Sequence, residues 1–514
     1  MNNNSRVKNS IINSIYASGS QIITLVLTFI VRTVFIRKLS VEYLGVNGLF
    51  SNIITMLSLA DLGIGISIPY TLYKPLADNN KEKIKALMSL YSKIYNLIGI
   101  IVLVIGIAIT PFLSYIIKEM PNIPNIQLIY ILFVLNSALS YFFIYKKLLL
   151  DSDQKGYIAS KIIMNVTIIK SILEIIVLYT TRNYILYLSV SIITILFQNI
   201  IISMKCNKMY PYIKEKTKQK VEKSDITELK KNTIALIFYR LGTVVMNGTD
   251  NIVISKYIGI AMVGIYSNYL MIINAITKIV SQIFDAITAS IGNMVVTTDS
   301  NKSEDILYKL QFLNFWLYTF FSVCVTVLIN PFIKIWAGDE YVLSIVVAFI
   351  IGLNLYVYGM QSVVSSYRNA YGLFIQGKYR PIIMSIANII LSILLVRILE
   401  IFGVILSNVI CRLFIMGIYD PIVVFKYGIK NTPKKYYINY IKYLTIYVIL
   451  STIGLVIISK ISIPNYIIWG IVAIVVSILI NIILIILFYR TQNFKFYKQK
   501  LEEIIKNKIK KRGK

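Results

Sequence analysis

Apolar residues recur along this 514-residue chain in stretches of about 20 or more, each closed by a short segment holding charges, Pro or Asn. Stretches of that length and composition are membrane helices, because lipid offers a backbone N–H or C=O no partner outside its own helix. The breaks predict fourteen of them, at 9–36, 45–73, 84–117, 125–149, 154–180, 183–204, 232–256, 262–294, 304–333, 341–372, 376–400, 403–427, 436–460 and 463–489. The expected fold class is therefore all-α and integral to a membrane. The longest hydrophilic piece, KCNKMYPYIKEKTKQKVEKSDITELKK (205–231), has almost nothing with which to build a core, which excludes a soluble catalytic domain.

Lysine and arginine alternate between loops in a way that supports this count. They crowd at Arg6 and Lys8, at Lys74, Lys81, Lys83 and Lys85, at Lys146, Lys147 and Lys155, at Lys214 to Lys223, at Arg368, Lys378 and Arg380, and at Lys426 to Lys435. The loops between carry only one or two, such as Lys118, Arg182, Lys256, Lys334 and Lys460. Both termini are thus expected in the cytoplasm, and Arg6 and Lys8 ahead of the first run, with no small-residue cleavage site, read as a retained helix.

Composition adds exclusions. With 57% hydrophobic and 15% charged residues and a mean hydropathy of +0.71, the chain lies outside the soluble class. Its net charge of +30 follows from topology and an anionic inner leaflet, so no nucleic-acid partner is implied. Histidine is absent, and Cys206, Cys324 and Cys411 are too scattered for a disulfide framework or a metal site. No metal or cofactor is expected. The basic tail, KFYKQKLEEIIKNKIKKRGK, has apolar residues near helical spacing and reads as a membrane-surface helix. Abundant Ile, Lys and Asn suggest a bacterial source and its cytoplasmic membrane.

The chain also repeats itself. RTVFIRKLSVEYLGVNGLF (32–50) and NIVISKYIGIAMVGIYSNY (251–269) each precede a membrane helix, with Gly45 and Gly264 equivalent at an offset of 219. KNSI (8–11) and KNTI (231–234) open the halves. The expected organisation is a first bundle at 1–204, a basic linker at 205–231, a second bundle at 232–427, two further helices at 428–491 and the basic tail at 492–514. Transporters are commonly built from such repeats, with the site between them.

At Arg37, Leu39, Glu42 and Gly45 (RKLSVEYLG), at DLGIG (61–65) and at TDNIVISKYIG…VGIYS in the second half, the sequence resembles the polysaccharide-unit (Wzx-type) flippases. These are a branch of the multidrug/oligosaccharidyl-lipid/polysaccharide (MOP) exporter superfamily, which also holds MATE multidrug exporters and lipid II flippases. The resemblance implies a MATE-like fold and movement of an undecaprenyl-diphosphate-linked oligosaccharide to the outer leaflet by alternating access. It further implies membrane lipids and pathway polymerases or glycosyltransferases as partners. A lipid II flippase and a MATE drug exporter remain open alternatives. More distant is a polytopic glycosyltransferase, since Asp151 and Asp153 form a DxD in a loop.

Ionisable side chains at membrane depth cost a few kcal/mol each, so each needs a partner, a wet cavity or a function. Lys170 and Glu174, and Arg397 and Glu400, have helical spacing for mutual pairing, while Arg412 and Asp420 lie near helix ends and are expected to reach water. The others sit in polar stripes: Gln21, Thr24, Thr28 and Arg32; Arg240, Asn247 and Asp250; Asn274, Lys278, Gln282 and Asp285. One shared cavity explains them. Arg32, Lys93, Arg240 and Lys278 are candidates to hold phosphate oxygens, with Asn247, Asn274 and Gln282 exchanging hydrogen bonds with sugars. Asp61, Asp250 and Asp285 are candidates for gating or for H⁺ or Na⁺ coupling, since a carboxylate in low dielectric exchanges protons near neutral pH. Asp61 lies in LSLADLGIGISIP (57–69), where Gly63, Gly65 and Pro69 predict a bend.

Overall fold

The backbone satisfies itself almost entirely through helices. A computed structural model describes residues 3–58, 61–215, 221–222, 227, 248–297, 300–373, 375–377 and 379–512, and no strand occurs among them. The first helices are α1 (Asn3–Lys38), α2 (Val41–Leu57), α3 (Asp61–Ala77), α4 (Lys81–Ile109), α5 (Ile126–Tyr141), α6 (Ile144–Ser152), α7 (Gly156–Thr181) and α8 (Tyr184–Met209). After a helical stretch at 248–257 come α9 (Ile260–Thr297), α10 (Ser300–Trp336), α11 (Ile345–Met360), α12 (Ser362–Ala370) and α13 (Arg380–Cys411). The last are α14 (Gly417–Val423), α15 (Lys434–Ile458), α16 (Tyr466–Phe488) and α17 (Gln492–Arg512).

Among the described residues ten helices are long and apolar enough to cross a membrane, or eleven if α5 and α6, bent by 42°, form one span. Exposed apolar side chains such as Ile398 and Ile467, each more than three-quarters accessible, cover them on the outside, as lipid requires. The expected second span divides into α2 and α3. α2 ends at Leu57 with Ser58 as its C-cap, and Gly63, Gly65 and Pro69 lie within α3. The expected seventh span (232–256) lies mostly outside the described residues.

The helices group into two units, 1–267 and 268–514. In the first, Ile68 and Leu72 of α3, Leu87, Met88, Tyr91 and Tyr95 of α4, Leu149 and Leu150 of α6, and Ile202 and Cys206 of α8 close an apolar core. The predicted cytoplasmic loops converge at one end of this unit: Asn13 donates to the Gln154 carbonyl at 2.9 Å, and Lys85 pairs with Glu215 at 2.8 Å. At the other end the Lys118 N–H donates to the Ser255 carbonyl at 3.1 Å. The repeat-equivalent glycines meet each other here. A Cβ on Gly45 would lie 2.0 Å from the Ile260 carbonyl oxygen, and one on Gly264 would lie 2.4 Å from that of Val41. Backbone touches backbone at this crossing of α2 with the first turns of α9, a spacing only glycine permits.

The second unit is built around α10. Phe315 stacks on Tyr443 of α15 at 4.1 Å, and the Trp316 indole donates to Asn481 of α16 at 3.0 Å. The two helices predicted at 428–491 therefore pack on the second unit's own central helix. Within α13 the chain turns at Glu400, whose φ of 51° and ψ of −135° are not helical. Hydrogen bonds from Asn388 to Ser407 and Asn408, at 3.1 and 3.2 Å, zip the arms of this hairpin. Asp420 corrects an expectation. It does not reach water but is 2% exposed, bonded to the guanidinium groups of Arg368, at 3.3 Å, and of Arg380.

Candidate transport site

Arg32 lies in the last third of α1, half-buried, and its guanidinium donates to Ser267 Oγ in the second turn of α9. Ser267 passes its own proton to the Gly264 carbonyl at 2.7 Å, beside the glycine crossing. The short side chains at that crossing let α9 approach closely enough for the arginine to reach it. Beyond them, Tyr184 and Tyr187 lie on successive turns of α8. Those two rings stack at 5.8 Å, and Phe35 meets each of them edge-on at about 5.5 Å. Tyr43 of α2 closes on Tyr184 at 5.3 Å, and Asn47 Nδ2 donates to Tyr184 Oη at 3.0 Å.

A buried acid of α7 meets the same face of α8. Glu174 accepts from Ser191 at 2.8 Å and pairs with Lys170 at 3.5 Å, as its helical spacing predicted. The surroundings are thus a half-buried cation, a buried carboxylate with its lysine, and a cluster of tyrosine hydroxyls. Such a set can hold phosphate oxygens on a fork of N–H donors and present hydroxyls and ring faces to a polar group. Asn47, Tyr184, Tyr187, Ser191 and Ser267 were not singled out from the sequence. The spacing 184, 187, 191 does mark one helix face, and it carried the signal.

The remaining candidates are placed separately. Lys93 is exposed on α4, and Asn274, Lys278 and Gln282 are exposed along one face of α9, as their four-residue spacing requires. Asp250 is half-buried in the stretch 248–257. Arg240 and Asn247 lie outside the described residues. For Asp61, the first residue of α3, and for Asp285 in α9, the helical backbone is described and the side chain is not. The DxD pair is occupied locally: Lys147 binds Asp151 and Lys155 binds Asp153, each at 2.6 Å. They sit at the end of α6. Among the described residues no cluster of His, Cys, Asp or Glu could hold a metal ion.

Comparison with known proteins bears on family and fold. Residues 10–289 match the family described as polysaccharide biosynthesis protein. No curated protein sequence matches the chain. Among solved structures, the lipid II flippase MurJ in an inward closed conformation is similar at 17% identity and a TM-score of 0.62, over 93% of this chain and 99% of that one. A MATE transporter of Vibrio cholerae is similar at 13% identity and a TM-score of 0.56, over 82% and 99%. An inward-facing multidrug resistance MATE transporter of the MOP superfamily follows at 13% and 0.55, over 76% and 92%. The match covers more than half of the sequence and the fold agrees over nearly all of it: the chain belongs to the polysaccharide biosynthesis protein family and has the multi-helix fold shared by MurJ and the MATE transporters.

Proposed function

We propose that the protein carries an undecaprenyl-diphosphate-linked oligosaccharide from the cytoplasmic to the outer leaflet of a bacterial cell membrane by alternating access, for cell-surface polysaccharide synthesis. The observation that carries this reading is Arg32: a guanidinium within a membrane-spanning helix, half-buried and donating to Ser267, in a chain of the polysaccharide biosynthesis family. A fork of N–H donors matches diphosphate oxygens, and tyrosine matches sugar. In this reading Arg240, Lys278 and Lys93 supply further positive charge, with Asn247, Asn274 and Gln282 for the hydroxyls. Both termini are cytoplasmic in this reading, and the glycosyltransferases and polymerase of the same pathway are its partners.

Replacing Arg240 or Lys278 with Ala is expected to abolish export of lipid-linked sugar while the protein accumulates normally. Unimpaired export in both variants would refute these assignments. Asp61, Asp250 and Asp285 are assigned to gating or to coupling with H⁺ or Na⁺; Asp61→Asn and Asp285→Asn variants that kept the normal response to an imposed ion gradient would refute that. A second reading, lipid II as cargo, draws on the likeness to MurJ. Restored peptidoglycan synthesis in cells depleted of their own lipid II flippase would favour it.

A further inference from the structure

A cavity of about 600 Å³ opens at the end of the first unit where the basic loops converge. Its wall is made by Tyr73 and Asn79 at the end of α3, Lys81 at the start of α4, the Asp153–Lys155 turn, and Tyr210 and Tyr212 after α8. It contains none of the residues assigned to transport, and its volume falls within the roughly 300–1,000 Å³ of small-molecule sites.

Its polar groups are fixed before any ligand arrives. Asp153 Oδ2 accepts from Tyr210 Oη at 2.5 Å and from Lys155 Nζ at 2.6 Å, which leaves Oδ1 to accept from a ligand. Burial, and then the bond to Asp153, pushes the Tyr210 phenol far above its usual range, so it stays a donor. Gln154 adopts a left-handed conformation, φ 58°, and the turn around it is held to α1 on both sides. Asn13 donates to the Gln154 carbonyl at 2.9 Å and accepts from the Tyr157 N–H at 2.7 Å. Tyr212 stands edge-on to Tyr210, with their ring centroids 6.2 Å apart, and carries the Lys81 ammonium over its face at 5.8 Å.

Tyrosine faces beside a positioned carboxylate, amides and an exposed lysine have the chemistry of a sugar site. One face of a pyranose is lined by C–H groups and complements the negative face of an aromatic ring, while its hydroxyls need acceptors and donors at the rim. We propose that this cavity is a glycan-docking site, in which Tyr212 stacks on a pyranose and Asp153, Asn79 and Gln154 bind its hydroxyls. The site rests on the glycan cargo proposed above and receives its sugar portion on the cytoplasmic side before translocation. Lys81 favours glycans that carry an acidic group.

The test uses the purified full-length protein in detergent and saturation-transfer NMR with soluble trisaccharides, one neutral and one bearing a uronic acid. Signal is expected from the wild type and from Tyr212→Phe, which keeps the ring. It should fall at least fivefold in a Tyr212→Ala/Asp153→Asn double variant that still elutes as a single folded species, and be unchanged in Gly470→Ala, which lies outside every proposed site. Competition by a short-chain prenyl-diphosphate-linked glycan, stronger than by the free sugar, identifies the lipid-linked form as the source. No signal from the wild type, or equal signal from the double variant, overturns the site. A protein that binds the trisaccharide here and moves no lipid-linked glycan refutes the transport reading and leaves the site standing. One that moves the glycan without pocket-dependent binding refutes the site alone.

Discussion

Replacing Gly45 with Ala tests the α2–α9 crossing directly. The added Cβ would lie 2.0 Å from the Ile260 carbonyl oxygen and 2.8 Å from its carbon, whereas ordinary contact begins near 3.4 Å. The obstructing atoms are backbone, so no rotamer change relieves the clash, and the two helices must separate by about 1.4 Å. Overpacking of this kind costs about 3 kcal/mol, and the higher helix propensity of Ala returns about 1, leaving a loss of about 2 kcal/mol. Gly470→Ala is the matched control: Gly470 also lies in a helix, and a Cβ there meets nothing within 4 Å, so only the propensity gain applies. Melting followed by size-exclusion chromatography after heating should rank Gly470→Ala at or above the wild type and Gly45→Ala several degrees below it. Because Ser267 is one turn from Gly264, Gly45→Ala should also weaken transport through Arg32. A Gly45→Ala protein that melts with the control would show that the backbones do not touch there.

Two further substitutions address the second unit. Asp420→Ala leaves the buried guanidinium groups of Arg368 and Arg380 without the carboxylate they share; breaking a buried pair costs about 3–5 kcal/mol. Their additional contacts place the loss near 3 kcal/mol, with Asp420→Asn intermediate, and the same melting assay should give the order wild type, Asn, Ala. Glu400→Gly should raise stability by about 1 kcal/mol, because the exposed Glu400 occupies backbone angles that only glycine adopts without strain. A lower melting temperature for this variant would count against the hairpin turn at that residue.

Much of the fold is written in the spacing of apolar runs, since a helix in lipid needs only length and hydrophobicity to be recognised. The offset of 219 between Gly45 and Gly264 was legible as a repeat, and the structure adds that these two residues are in contact. What periodicity could not supply is the identity of the opposing surface. It marked Arg32 as facing something polar, but Ser267 lies 235 residues away, and the tyrosines of α8 enter from a third helix. Asp420 failed for the same reason: its place near a helix end pointed to water, and Arg368 and Arg380, brought in by two other helices, enclose it instead.

The central claim is tested most directly by reconstitution. Purified protein would be placed in vesicles whose inner leaflet carries a fluorescent undecaprenyl-diphosphate oligosaccharide, and its arrival outside would be read by accessibility to an external lectin. The account predicts time-dependent exposure with the wild type, reduced about tenfold or more in Arg32→Ala by loss of a charge-assisted contact that two or more kcal/mol of phosphate binding depends on. Exposure no faster than in protein-free vesicles, or equal rates for the wild type and Arg32→Ala, would contradict it.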